Sequence, residues 1–344
     1  MHLTETTDGF KKTYGFKIAT LREQKESRAS NSFVKVSDAL FRLNPGARSS
    51  LIVSEGVLYS QVPLGTNRNK ILGPASFRSF EGLVATSGNK ALIVVSRNVQ
   101  SFGTGIVIPG QTYNWWHWLV EVLPKAFLAT QSGEEWAGWP IALRSLGGQT
   151  NPNVQQTARM VLTGSLIEWA PPDSFFHLKE AVFWDGTVEL SQRELAPYRE
   201  LLRHKALTFS SRDAPKRIFL KRAERLGRRF NQSELSSIAQ EFGFEIIDPE
   251  EISLPELWAQ LANARIIVGA QGAGWANTIV CPEGAIGLQW AGGSLRGDRF
   301  QKLADLCKMD LRTIVSEGDF DGDYIVNSAD FSSQLERAVR DADD

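Results

Sequence analysis

RIIVGAQGAGWANTIVCPEG, residues 265–284, decides how this chain folds. Ile266, Ile267 and Val268 read as a strand buried on both faces; glycines at 269, 272 and 274 then turn the chain, and apolar residues resume before Pro282. A strand without a polar face belongs inside a parallel sheet, and its neighbours supply the partners. Upstream stand RIFLKR (217–222) and FEIID (244–248), downstream AIGLQW (285–290) and LRTIV (311–315). Between them lie helical patterns. In residues 231–243, Leu235, Ile238, Ala239 and Phe242 share a face, Asn231 and Glu234 are spaced as a capping box, and Gly243 is a stop. A second helix opens at Ser253 and turns Leu257, Leu261 and Ala264 inward, and a third covers 298–308. Regular β-α-β alternation predicts a doubly wound parallel sheet.

The first half begins differently. SFVKV (32–36), SLIVSEGVLYSQV (50–62) and ALIVVS (91–96) are short strand patterns, the second folding as a hairpin at Glu55–Gly56. NWWHWLVEVLPKAFLAT (114–130) then reads as a helix with Trp115, Leu119, Val122 and Leu123 on one stripe and Pro124 as a kink or break. Strand PIALRS (140–145) and helix NVQQTARMVL (153–162) follow. The expected organisation is an α/β domain over 1–210 with a β-rich beginning, a Rossmann-like domain over 211–328, and a C-terminal helix with an acidic tail over 329–344. The boundary is placed in TFSSRDAP (208–215), where composition shifts.

Composition narrows the function. A chain of 344 residues has room for two cores, and a net charge of −1 argues against a dedicated nucleic-acid binder, which needs a basic excess to release counterions. Cys281 and Cys307 are the only cysteines, too few and too far apart for a zinc cluster or a Cys-x-x-Cys pair; they suggest a reducing, cytoplasmic setting. The first thirty residues lack a signal-peptide core, and nowhere do eighteen apolar residues run together, so neither export nor a membrane span is expected; peripheral association with a membrane is compatible with this.

Three features carry chemistry. The Gly-x-x-Gly-x-Gly spacing is neither the dinucleotide fingerprint nor a Walker loop, yet a turn at a strand's carboxyl end can aim backbone N–H groups at an anion. A tight structural turn reads equally well. The stretch 212–229 gathers Arg212, Lys216, Arg217, Lys221, Arg222, Arg225, Arg228 and Arg229 against Asp213 and Glu224, and its second half leaves another strand end, where guanidinium forks could hold a diphosphate or simply be solvated. His117 and Glu121, at i and i+4 among tryptophans, could hold an imidazole in one tautomer for general-base work, or form a satisfied pair in an aromatic core helix. No His-Glu-x-x-His exists, and Asp319, Asp321, Asp323 and Asp330 lack the glycine that a calcium loop needs, Tyr324 standing there instead; no metal is expected.

The aromatic His-Trp-Leu-Val-Glu helix, the Arg/Asn loop and Gly-Ala-x-Gly-Ala-Gly-x-x-Asn, in this order between about residues 90 and 310, resemble glycosyltransferase family 61. The resemblance implies an inverting, metal-independent enzyme of GT-B-like α/β fold, two Rossmann-like domains with a β-rich N-terminal extension. It implies a nucleotide-sugar donor, expected to be UDP-linked, a glycan or lipid-linked glycan acceptor, and work in surface or capsular polysaccharide synthesis at the inner face of the membrane. Carried over, donor contacts fall on Arg222, Arg228 or Arg229, Asn231, Gly269, Gln271, Gly272, Ala273, Gly274, Asn277 and Gln289, and the acceptor side falls on His117, Trp118 and Glu121. Gln271 stands where the family commonly has His, and Gln289 where an acid is common; Lys221 replaces a hydroxyl residue. The rival reading is a non-catalytic binder of glycans or nucleotides that uses its ten tryptophans.

Overall fold

The computed structural model describes residues 3–4, 11–20, 33–42, 51–54, 57–60, 83–87, 90–96, 99–108, 110, 112–144, 151–170, 175–184, 190–210, 214–223, 229–292, 298–316 and 323–343. The chain divides into two compact units, Met1–Ser191 and Gln192–Asp344. Among the described residues no helix is long and apolar enough to cross a membrane.

In the first unit the strands are β1 (Leu3–Thr4), β2 (Lys11–Thr20), β3 (Phe33–Arg42), β4 (Leu51–Ser54), β5 (Val57–Ser60), β6 (Leu83–Ser87), β7 (Lys90–Ser96), β8 (Val99–Val107), β9 (Ile141–Arg144), β10 (Ile167–Ala170) and β11 (Phe175–Trp184). They form one mixed sheet in the order β10-β9-β8-β11-β3-β4-β5-β2-β7-β6, with β1 on β2. The four strands β10-β9-β8-β11 are mutually parallel, and α1 (Leu123–Thr130) and α2 (Pro152–Val161) lie in the connections from β8 to β9 and from β9 to β10. The β-rich beginning is no separate extension. β3 pairs antiparallel along β11, and its Val34, Val36 and Phe41 enter the same core as Phe176, Leu178 and Phe183. This sheet is mixed, so only part of it follows Rossmann-type winding. β4 and β5 pair with Ser54 opposite Val57, as the hairpin expectation requires; Glu55 and Gly56 themselves lie outside the described residues.

The second unit matches its expected plan closely. β12 (Arg217–Leu220), β13 (Glu245–Ile247), β14 (Ile266–Ala270), β15 (Ile286–Gly292) and β16 (Asp310–Ser316) form a parallel sheet in the order β13-β12-β14-β15-β16. One face carries Phe219, Val268, Leu288 and Trp290 against Leu235 and Ala239 of α4 (Gln232–Glu241) and Phe331 and Leu335 of α7 (Ser328–Asp343). The other is covered by α3 (Gln192–Thr208), α5 (Leu254–Leu261), α6 (Arg299–Cys307) and a 3-10 segment, Ala273–Val280. Ser253 caps α5 by accepting from Glu256 N, and Gly243, at φ +74°, stops α4 as expected.

Two boundaries move. The division falls at Ser191 rather than at 208–215, because α3 buries Tyr198, Leu202 and Ala206 in the second unit and its arginines bond that unit's carbonyls. The helix at 328–343 is no appendage to a 211–328 domain either. Its Phe331, Leu335 and Ala338 are fully buried in the sheet's core, and its last turn holds Arg312 through Asp341 and Arg217 through Asp343.

Candidate active site

In an open parallel sheet the ligand crevice opens where the strand order reverses, outside the carboxyl ends of the two strands concerned. In the second unit the first and third strands in sequence, β12 and β14, are neighbours, and the chain winds outward from them in both directions. Arg222 leaves β12 and Gly272 leaves β14 at this switch point, and the structure brings them together: a Cβ added to Gly272 would collide with Arg222 Nη1.

None of the three glycines of the turn takes the left-handed backbone that favours glycine, and two of them serve close approach. Gly269 lies 3.1 Å from Leu220 O and 3.5 Å from the Trp275 ring, measured from an ideal Cβ, so it seats that buried indole on the sheet together with Gly287 of β15. Gly272 is extended, at φ 176°, a conformation open to any residue; what it supplies is room for the guanidinium. Gly274 faces open space. Gly272→Ala is therefore expected to fold normally and to push Arg222 out of its seat, and, on the expectation of a UDP-linked donor, to weaken UDP binding roughly tenfold, about 1.4 kcal/mol. Unchanged UDP affinity in calorimetry would show that the contact carries no binding role.

Around this pair, polar atoms stand at the strand ends. Gln271 N donates to Trp290 O at 2.8 Å, extending the β14–β15 ladder, and Gln289 sits opposite Gly269. Both side chains are buried, 6% and 3% exposed, and among the described residues neither Oε1 has a hydrogen-bond partner. Gln289 spends its Nε2 on Thr313 Oγ1, which leaves its oxygen as the unsatisfied end of the amide among the described residues.

Other expected residues serve the scaffold. Asn277, 4% exposed, accepts from Trp258 Nε1 and donates to Gly274 O, pinning the start of the 3-10 segment. Asn231 does not cap α4 with its side chain. It bridges both polar groups of Val326 and also donates to Glu234, whose carboxyl is held below its ordinary range by the bonds from Asn231 and Ser328. Arg229 is exposed and paired with Asp323, so one aspartate of the acidic turn is engaged by an arginine. Arg228, Asp319 and Asp321 lie outside the described residues. Ala273 opens the 3-10 segment; no long α-helix begins there. Among the described residues no three His, Cys, Asp or Glu side chains gather. Burial pushes the thiols of Cys281 and Cys307 up, which leaves them inert.

Sequence reasoning missed what supports the turn from beneath. Arg199 and Arg203 of α3 donate to the carbonyls of Val280 and Cys281, where the 3-10 segment ends, and to those of Cys307 and Ala262, where α6 and α5 end. Three orphaned carboxyl ends are thereby satisfied.

In the first unit His117 and Glu121 form a second local site. The helix entering α1 opens with a π-turn, His117–Val122, in which Leu123 N reaches back to Trp118 O. Pro124 follows it, and a widened turn accommodates a ring that would crowd the preceding carbonyl in an α-helix. Leu119, Val122 and Leu123 of the expected stripe are buried, while at its start Trp116 and Trp118 take the buried place expected for Trp115. Trp118 faces no cleft: it is fully buried and donates to Thr157 of α2 at 2.8 Å. Asn114, not singled out in the sequence, accepts from the N–H groups of Trp116 and His117. His117 Nδ1 lies 2.8 Å from Glu121 Oε2. A carboxylate only accepts, so in this bond a proton sits on Nδ1. The tryptophans of the binder reading are mostly core: Trp116, Trp118, Trp136, Trp184, Trp258 and Trp290 are all buried.

Compared with known proteins, the sequence matches none of the curated chains. The model of a family described as Glycosyltransferase 61 matches residues 115–288, about half of the chain, from the aromatic helix through the glycine turn to β15. On that match the chain belongs to glycosyltransferase family 61.

Proposed function

We propose that this glycosyltransferase moves a sugar from a nucleotide-sugar donor, UDP-linked, to a hydroxyl of a glycan or lipid-linked glycan, inverting the anomeric centre and using no metal. The observation that carries this reading is Arg222 lying against Gly272 at the switch point of the second sheet. A fixed guanidinium beside side-chain-free backbone suits a diphosphate, which takes a charge-assisted fork and N–H groups together.

His117 Nε2 takes the proton of the acceptor hydroxyl while Glu121 holds the ring and stabilises the imidazolium. The freed oxygen bonds to the anomeric carbon from the face opposite the diphosphate. The bond from that carbon to the diphosphate oxygen breaks, and its electron pair leaves with the diphosphate, whose growing charge Arg222 stabilises in place of a metal. Work in surface or capsular polysaccharide synthesis, on the cytoplasmic face of the membrane, fits this substrate class.

Arg222→Ala is expected to weaken UDP binding about 10- to 150-fold, the equivalent of about 1.5–3 kcal/mol, while the protein stays folded. UDP affinity equal to wild type in calorimetry would remove Arg222 from the donor site. Turnover that EDTA abolishes and manganese restores would overturn metal independence.

A further inference from the structure

We infer that Gln232 is a positioning residue for the donor site: its buried amide fixes the peptide of Arg222 and thereby the place of the guanidinium over Gly272. The inference rests on the proposed role of Arg222. β12 ends at Leu220, and the ladder to β13 persists one residue further, with Lys221 N donating to Ile247 O at 2.9 Å. At Arg222 a side chain takes the place of the next strand. Arg222 N donates to Gln232 Oε1 at 2.7 Å, and Gln232 Nε2 donates back to Arg222 O at 3.1 Å. One amide thus presents the donor and acceptor that a neighbouring peptide would offer.

The clamp is itself anchored. Gln232 is the first residue of α4, is 8% exposed, and donates its own N–H to Phe230 O at 2.7 Å. Leu235 and Ala239, farther along α4, are fully buried in the sheet's core. The position of Arg222 is therefore set from two sides, by the end of β12 and by a helix rooted in the core. Only a side-chain amide of this length fits: Glu keeps the acceptor and loses the donor, Met keeps the shape and loses both, and Asn is one methylene short.

The test is UDP binding by calorimetry on the full chain at low and high salt, with thermal unfolding as the check on folding. Gln232→Met is expected to weaken UDP about tenfold and Gln232→Glu by less, consistent with net hydrogen-bond worth. In Gln232→Met the salt dependence should flatten toward that of Arg222→Met, and the double variant should bind UDP no worse than Arg222→Met alone, because both changes remove the same contact. If Gln232→Met does not fold, Gln232→Glu carries the same comparison. Wild-type affinity and salt dependence in either folded variant, or losses that add fully in the double variant, would overturn the inference while leaving Arg222 in the donor site. Arg222→Met binding UDP like wild type would instead overturn the donor-site reading, and the positioning role with it.

Discussion

Replacing His117 by Ala is expected to lower kcat about 10²- to 10⁴-fold, the usual worth of a positioned general base, with little change in the KM for the donor. The expectation follows from the 2.8 Å bond between Nδ1 and Glu121, which fixes the tautomer and leaves Nε2 as the basic nitrogen. Glu121→Gln should cost less, because its amide oxygen still accepts from Nδ1–H and only the charge facing the imidazolium is lost. The side chain of His117 is 10% exposed and its partner's 39%, so the pair stands at a surface rather than sealed in the core. A His117→Ala protein retaining more than about a tenth of wild-type kcat, well above the range for a lost base, would show that the pair serves the helix and not the reaction.

The second large effect is on stability. Arg199 is 3% exposed, and its Nη2 donates to Cys281 O at 2.9 Å and Cys307 O at 3.4 Å. Arg199→Leu keeps bulk but leaves two buried carbonyls without their donor, at about 1–3 kcal/mol each, so a loss of about 2–6 kcal/mol is expected. For a unit of this size, at about 2–4 °C per kcal/mol, the Tm should fall by about 4–24 °C. Arg203→Leu removes bonds that are only part-buried and should cost less. Thermal unfolding of the two variants checks the order. An Arg199→Leu protein as stable as wild type would mean that water can serve those carbonyls.

How much of this was legible in the sequence follows from the range over which each feature is determined. The parallel strands of the second unit were readable because Ile266–Val268 and their counterparts are apolar on both faces, and Ser253 and Gly243 act within one turn of themselves. The place of Arg222 and the glycine turn at neighbouring strand ends also followed, since β-α-β winding fixes which end of each strand carries its loop. Asn231 misled because its spacing to Glu234 imitates a capping box, whereas its amide serves Val326, far along the chain. On the aromatic helix Leu119, Val122 and Leu123 were read correctly, while Trp115 was not, because a π-turn changes the period there and the sequence shows no more than Pro124 just beyond it. Arg199, Arg203 and Gln232 were invisible for one shared reason. Long polar side chains on amphipathic helices read as solvated until the carbonyls and peptides they serve are brought in from elsewhere.

The helix Ser328–Asp343 bears on how the protein can be dissected. Its apolar face closes over Trp290, Phe331 stacking edge-on against that indole with ring centroids 5.4 Å apart. A fragment ending before residue 328 would bare a tryptophan in the middle of the sheet and is expected to aggregate. One beginning after residue 210 would lack the arginines beneath the glycine turn. A recombinant fragment of the second unit should therefore run from Gln192 or earlier through Asp343, with any affinity tag placed ahead of α3.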